Sequence, residues 1–191
     1  EYDLLHEVKS LSSLLSLPVT ILEDNRFLAS KVFFSDWLAE QKKPIMENFY
    51  RRMRKVHHIL LDEKGRPEGG RWNYDKNNRR VPDQNTNYPD LPSFPADFIT
   101  KNSINLVRRH FPKHFGSIEP FKYAVTRKDA LTSLAHFIDY RLPYFGDFQD
   151  AMVVDEPFLF HSHLSLYLNN GLLHAAECID AAVCAYQSVK A

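Results

Sequence analysis

An apolar run, Phe158-Leu159-Phe160, leads directly into Ser162 and Ser165 and then into Leu164, Leu168 and Leu172 at helical spacing. Two small hydroxyls therefore fall at or near a helix start, where backbone N–H groups lack partners and a phosphate is welcome. The same pattern also fits a serine-capped helix packed on a core, with no ligand at all. Asp147 and Asp150 have the residue types of an acid–base pair, but that work needs opposed environments, and the sequence around them shows none. His161 and His163 flank Ser162. In a strand their spacing would place both imidazoles on one face, as a metal site uses, yet a third ligand is missing. Cys178 and Cys184 form neither a Cys-x-x-Cys clamp nor a disulfide framework and read as helix-packing thiols. No metal ligand is assigned. A Gly-x-Ser-x-Gly elbow, a phosphate loop and a Gly-x-Gly-x-x-Gly fingerprint are all absent, which removes the common hydrolase and dinucleotide signatures.

The chain that must position these residues has 191 residues, 44% hydrophobic and 25% charged, enough to build a core in one domain or parts of two. Its 24 basic and 24 acidic residues cancel, so no global field draws it to nucleic acid or an anionic membrane, and any DNA surface must be local. A membrane span needs an apolar run of about 18 residues, which is not found, and the N-terminus lacks the pattern of a secretory signal. The cytoplasm is the expected location.

Tyr2, Leu4, Leu5, Val8, Leu11 and Leu15 form a helical stripe, and Pro18-Val-Thr-Ile-Leu then reads as a buried strand, an arrangement suited to the edge of an α/β layer. The abrupt start, with no earlier strands to pair with, reads as a fragment beginning late in such a domain. Ser30 can cap a helix carrying Val32, Phe33, Trp37 and Leu38, and Pro44 can open another with Ile45, Met46, Phe49, Met53 and Val56. Arg51, Arg52, Arg54 and Lys55 stripe the second helix, either as a contact to nucleic-acid phosphates or as a solvated face. Ile59-Leu-Leu suggests a short strand. From Asp62 onward glycine, proline, asparagine and charges dominate, with Pro82, Pro89, Pro92 and Pro95 in close succession, so this is a long connector and the best boundary. Within it Trp72 and Tyr74 are large aromatics expected to be buried across an interface. The remainder is helical: Ser103 precedes Ile104, Leu106, Val107 and Phe111, with Pro112 ending that element. Thr126 opens a helix with the stripe Leu131, Leu134, Phe137, Ile138 and Leu142. Ala175, Cys178, Ile179, Ala182 and Ala185 give a last helix with a small-residue face.

Three segments, in order, carry a resemblance. Phe160-His-Ser-His-Leu-Ser-Leu-Tyr-Leu-Asn-Asn-Gly resembles the flavin-phosphate motif of the photolyase and cryptochrome superfamily, usually Thr-Ser-x-Leu-Ser-Pro-Tyr-Leu-x-x-Gly. Gly70-Arg-Trp-Asn-Tyr-Asp-Lys-Asn-Asn-Arg and Phe145-Gly-Asp-Phe-Gln-Asp-Ala-Met resemble its bacterial photolyase-related branch, the iron–sulfur cryptochromes and (6-4) photolyases. His161 stands where the motif has threonine and Leu166 where it has proline.

The resemblance implies an α+β, mostly α-helical chain. Residues 1–61 would be the end of a Rossmann-like α/β antenna domain, 62–100 an interdomain connector, and 101–191 the first part of an all-α FAD-binding domain. It implies part of a flavin-dependent, blue-light-driven DNA repair photolyase of the (6-4) photoproduct type, a lyase acting on ultraviolet-damaged DNA by electron transfer from reduced FAD. The cofactor-binding positions it carries over are His161, Ser162, His163, Leu164, Ser165 and Asn169, with Gln149 and Asp150, while no catalytic residue is assigned. It further implies a lumazine-type antenna chromophore, a 4Fe-4S cluster whose ligands lie outside this chain, a monomer, and no membrane. A non-catalytic blue-light photoreceptor with the same flavin, and a ligand-free helical structural domain, remain as alternatives. The damage-binding histidine that separates enzyme from sensor is expected beyond residue 191, and residues 1–191 alone are expected neither to hold FAD nor to repair DNA.

Overall fold

Residues 2–190, apart from Leu17 and Gln84, are described by a computed structural model. The side chain of Tyr2, first in the expected N-terminal stripe, and Gln84, within the expected connector, lie outside the described residues.

Local sequence signals account for most of the helices. Helix α1 spans Tyr2–Leu15. Leu5 and Val8 of its stripe are half-buried, but Leu4, Leu11 and Leu15 are exposed. The strand expected at Pro18-Val-Thr-Ile-Leu does not form: the segment is irregular and exposed. A strand is held by hydrogen bonds to a neighbour, and among the described residues none lies beside it. Helix α2, Lys31–Ala39, begins as expected, with Ser30 Oγ accepting the Phe33 N–H at 3.0 Å. Helix α3, Met46–Val56, follows Pro44 and packs Phe49 against the buried Trp37, ring centroids 4.8 Å apart. Ile59-Leu-Leu is not a strand either. Leu60 adopts φ +48°, and only Leu61 makes an antiparallel bridge, to Pro67.

The chain then runs irregularly to Asp97 apart from two single 3₁₀ turns, Glu68–Gly70 and Asp75–Asn77. Helix α4, Phe98–His110, starts earlier than Ser103 because Asp97 caps it, accepting the Thr100 N–H at 2.7 Å. Ser103 lies inside the helix and donates to the Ile99 carbonyl. Of its expected apolar face only Ile104 is buried.

Helix α5, Arg127–His136, opens on Thr126, whose hydroxyl accepts the Asp129 N–H at 3.2 Å and donates to its carboxylate at 2.8 Å. The single helix expected from Thr126 to Leu142 is interrupted by a π-turn, Phe137–Arg141, before helix α6, Leu142–Phe148. Pro143 explains the break. A proline has no N–H, and its ring collides with the carbonyl four residues back, so the ladder is reset by the wider Leu142 N–H to Phe137 carbonyl bond. Helix α7, Ser165–Asn169, is a short turn, and α8, Ala175–Lys190, closes the described chain. The core gathers Ala124, Ala130, Leu134, Phe137, Leu164, Tyr167 and Leu173, so α5, the π-turn and α7 pack around one cluster, with Leu131 left exposed. Among the described residues no helix is long and apolar enough to cross a membrane.

Candidate functional site

Arg141 is the last residue of the π-turn and is 1% exposed. Its Nη1 donates to the carbonyls of Phe158, Leu159 and His161 at 3.2, 2.9 and 3.2 Å, and its Nη2 donates to the carbonyl of Pro89. One guanidinium thus ties the 158–161 segment to the irregular chain before α4. Among the described residues no carboxylate forms an ion pair with it, and burial, against the opposing field of Asp90, pulls its pKa below the usual arginine value. A buried charge without a carboxylate is costly unless dipoles or an anion compensate it.

These bonds shape one wall of a groove of about 680 Å³, whose other lining includes Tyr88, Lys122, Phe137, Ser162, His163 and Tyr167. The Tyr167 hydroxyl accepts the Ala124 N–H at 3.2 Å and lies 3.4 Å from Ser133 Oγ, which fixes the buried end of that wall. His163, at φ +54°, has its Nε2 3.2 Å from the Phe158 carbonyl. Burial first, then the positive charge of Arg141 and the neighbouring His161, lowers the His163 pKa despite that carbonyl. The two imidazoles are 6.2 Å apart between centroids, but their segment is not a strand, and no group of three metal-capable side chains occurs among the described residues.

The expected site residues separate into two places. His161, Ser162 and His163 are half-buried at or beside this groove, Leu164 is in the core, and Ser165 and Asn169 are exposed on α7. Ser165 is the first residue of α7, yet it makes no cap bond, and a five-residue helix adds little dipole. Gly171, read as the end of the phosphate motif, has a structural duty of its own. At φ +73° it closes α7 with Gly171 N–H to Leu168 and Leu172 N–H to Tyr167 carbonyl bonds, the left-handed stop that glycine suits.

Gln149 stands on a second groove, of about 710 Å³, with Tyr50, Arg54, Trp72 and Asn78. Neighbouring Asp150 accepts the Asn78 side-chain amide at 3.1 Å and pairs with Arg79 at 3.6 Å, while Asp147 pairs with Arg80 at 2.8 Å. The two carboxylates that looked like an acid–base pair therefore anchor the 78–80 segment. Trp72 is half-buried, with Arg51, Arg54 and Lys55 at 5.7, 5.3 and 5.5 Å from its ring, whereas Tyr74 is 51% exposed, contrary to its expected burial. The basic stripe of α3 is thus partly a clamp on this loop: buried Arg54 also donates to the Ile59, Leu60 and Trp72 carbonyls. Sequence reasoning missed Arg141 and Asn78. The one trace of the former was Pro143, which marks the break that aims Arg141 inward.

The first groove offers a diphosphate a serine hydroxyl, a lysine and the amide N–H groups of Ser162 and His163, which meet no acceptor among the described residues; the Arg141 guanidinium, already held by four carbonyls, adds positive charge behind them, and Asp90 and Glu156 oppose it from exposed positions. Residues able to hold such a group are Ser162, His163 and Lys122.

Comparison with known proteins places the chain. It is 43% identical over 186 residues to a (6-4) photolyase of Agrobacterium fabrum (strain C58 / ATCC 33970), a match covering 97% of this chain and 36% of that protein, so the chain spans about a third of that relative's length. Residues 1–123 match the family described as deoxyribodipyrimidine photo-lyase-related protein. With both matches in agreement, the chain belongs to the deoxyribodipyrimidine photo-lyase-related protein family.

Proposed function

We propose that this chain is part of a flavin-dependent photolyase that repairs (6-4) photoproducts in ultraviolet-damaged DNA, with the first groove as the seat of the FAD diphosphate. The observation that carries the reading is that Ser162 and His163, both in the segment resembling the flavin-phosphate motif, line one groove floored by the buried Arg141. Bound FAD supplies the light-driven electron transfer, and the protein supplies orientation and exclusion of water. Ser162 would hold a phosphate oxygen from the groove wall, and Ser165 and Asn169, exposed on α7, would add their side chains to the same group. Tyr167 and Leu164 hold that wall against the core. His163, favoured in its neutral form, keeps its Nε2–H on the Phe158 carbonyl and would offer the diphosphate its main-chain N–H without adding a second charge. Gln149 would contact the ligand from the second groove, where Asp150 holds the neighbouring Asn78.

Residues 1–61 are proposed as the end of an antenna domain, 62–100 as the connector and 101–191 as the start of the FAD-binding domain. The long irregular run before α4 supports that division. A lumazine-type antenna chromophore and a 4Fe-4S cluster belong to the same reading, with the cluster ligands outside this chain. The (6-4) photolyase relative supports the reaction class.

The test is the visible spectrum of the full-length protein before and after denaturation, followed by repair of a (6-4) photoproduct oligonucleotide under blue light. Released FAD and light-dependent repair are expected. A colourless protein overturns the flavin reading, and a flavin-bearing protein without repair overturns the enzyme reading in favour of a photoreceptor.

A further inference from the structure

The geometry points to Arg141 as the positioning residue that makes the first groove selective for a diphosphate-bearing ligand, an inference that rests on the flavin reading above. Three carbonyls of one short segment, those of Phe158, Leu159 and His161, turn toward its Nη1. In a trans peptide the C=O of one residue and the N–H of the next point in opposite directions. Gathering the His161 carbonyl therefore turns the Ser162 N–H away from the guanidinium. That N–H, and the N–H of His163, meet no acceptor among the described residues, and both residues line the groove.

The segment does not take this shape by preference. Leu159 and His163 hold φ +39° and +54°, left-handed values that a side chain disfavours and that persist only where the surroundings impose them. Arg141 is the surrounding that does so at Leu159, since it grips that carbonyl at 2.9 Å. Its second nitrogen holds the Pro89 carbonyl, next to Tyr88 and Asp90 on the opposite wall. Both walls are thus referenced to one buried cation, whose Nε also meets no acceptor. Asp90 and Glu156 line the groove too, but both are solvent-exposed, where water screens them more than it screens a residue 1% exposed. The buried end of the groove therefore favours an anion, and the Ser162 and His163 amides give it directional donors.

A lysine at this position would keep the charge and lose the fork that reaches four carbonyls, so the two roles separate experimentally. The experiment measures the affinity of flavin-depleted full-length protein for ADP and for adenosine, in wild type, Arg141→Met and Arg141→Lys, with hydrogen exchange of the 159–164 amides read on wild type. The expected wild-type preference for ADP is at least about tenfold, the factor that one hydrogen bond to a charged group is worth. It falls toward one in both variants while adenosine affinity changes little, and ADP but not adenosine protects the 159–164 amides. If the Met variant fails to fold, the Lys variant and the wild-type exchange carry the decision. A Lys variant that keeps the full preference, or exchange that does not distinguish ADP from adenosine, overturns the inference while leaving FAD binding intact. A wild-type protein that binds neither FAD nor ADP overturns the flavin reading itself.

Discussion

Asn78 donates its side-chain amide to the carboxylate of Asp150 at 3.1 Å, and its own main-chain carbonyl accepts the Asp150 N–H at 3.1 Å. This reciprocal pair joins the irregular 62–97 segment to the end of α6 across 72 residues of sequence. Asn78 is 3% exposed. Asn78→Ala should lower stability by about 0.5–1.5 kcal/mol, the net worth of one such bond, because the Asp150 carboxylate left behind is exposed to water. Asn78→Asp should cost more, because it sets two carboxylates against each other. Urea midpoints of the full-length protein measure both, and equal stability of the two variants would count against the pair.

Tyr167→Phe removes a hydroxyl that accepts the buried Ala124 N–H at 3.2 Å and lies beside Ser133. A loss of about 1–3 kcal/mol is expected with little change in packing, since only one oxygen is removed. Thermal unfolding checks it, with Tyr123→Phe, on an exposed ring, as the neutral comparison.

Gly171→Ala should destabilise by about 1 kcal/mol through its φ of +73°, the position where α7 stops. Space is not the obstacle, since an added Cβ would lie 3.4 Å from the Arg26 side chain, an ordinary contact. Gly146→Ala, inside α6, meets open space at a φ that side chains accept and should stabilise by about 0.5–1 kcal/mol through helix propensity. Parallel denaturation curves of the two variants decide the matter.

Caps were readable because a cap needs only the next three residues. Ser30 and Thr126 obey that rule, and so does Asp97, which accepts the Thr100 N–H and starts α4 ahead of Ser103. The strand expected at 18–22 does not form, because pairing depends on a distant neighbour rather than on the β-branched residues themselves. Arg141 was invisible for the same reason. Its partners stand 17, 18, 20 and 52 residues away and are main-chain carbonyls, which have no side-chain signature. The phosphate-motif resemblance supplied residue names without telling that Ser162 lines a groove while Ser165 lies on its exposed side.

Arg127 on α5 and Glu177 on α8 form a two-bond ion pair at 2.9 and 2.6 Å, and Glu177 also accepts the His174 N–H at 2.6 Å. The Arg127 bond chiefly, helped by that N–H, holds the Glu177 pKa below the ordinary value of 4.5. A depressed folded value means that this contribution is fully present above pH 4.5 and is lost as pH falls through the folded value. Glu177→Gln should therefore lower the urea midpoint at neutral pH and flatten its decline on acidification. An unchanged acid profile in the variant would show that the pair is not coupled to folding.

The seat of the FAD diphosphate is tested most directly by flavin occupancy after dialysis of the full-length protein in three forms: wild type, Ser162→Asp and Ser165→Asp. Each substitution sets a carboxylate where a phosphate oxygen would bind, and circular dichroism confirms that the three are equally folded. The account predicts about one FAD per wild-type chain and its loss from both variants, with the larger loss at Ser162, which lines the groove. Equal occupancy in all three would contradict it.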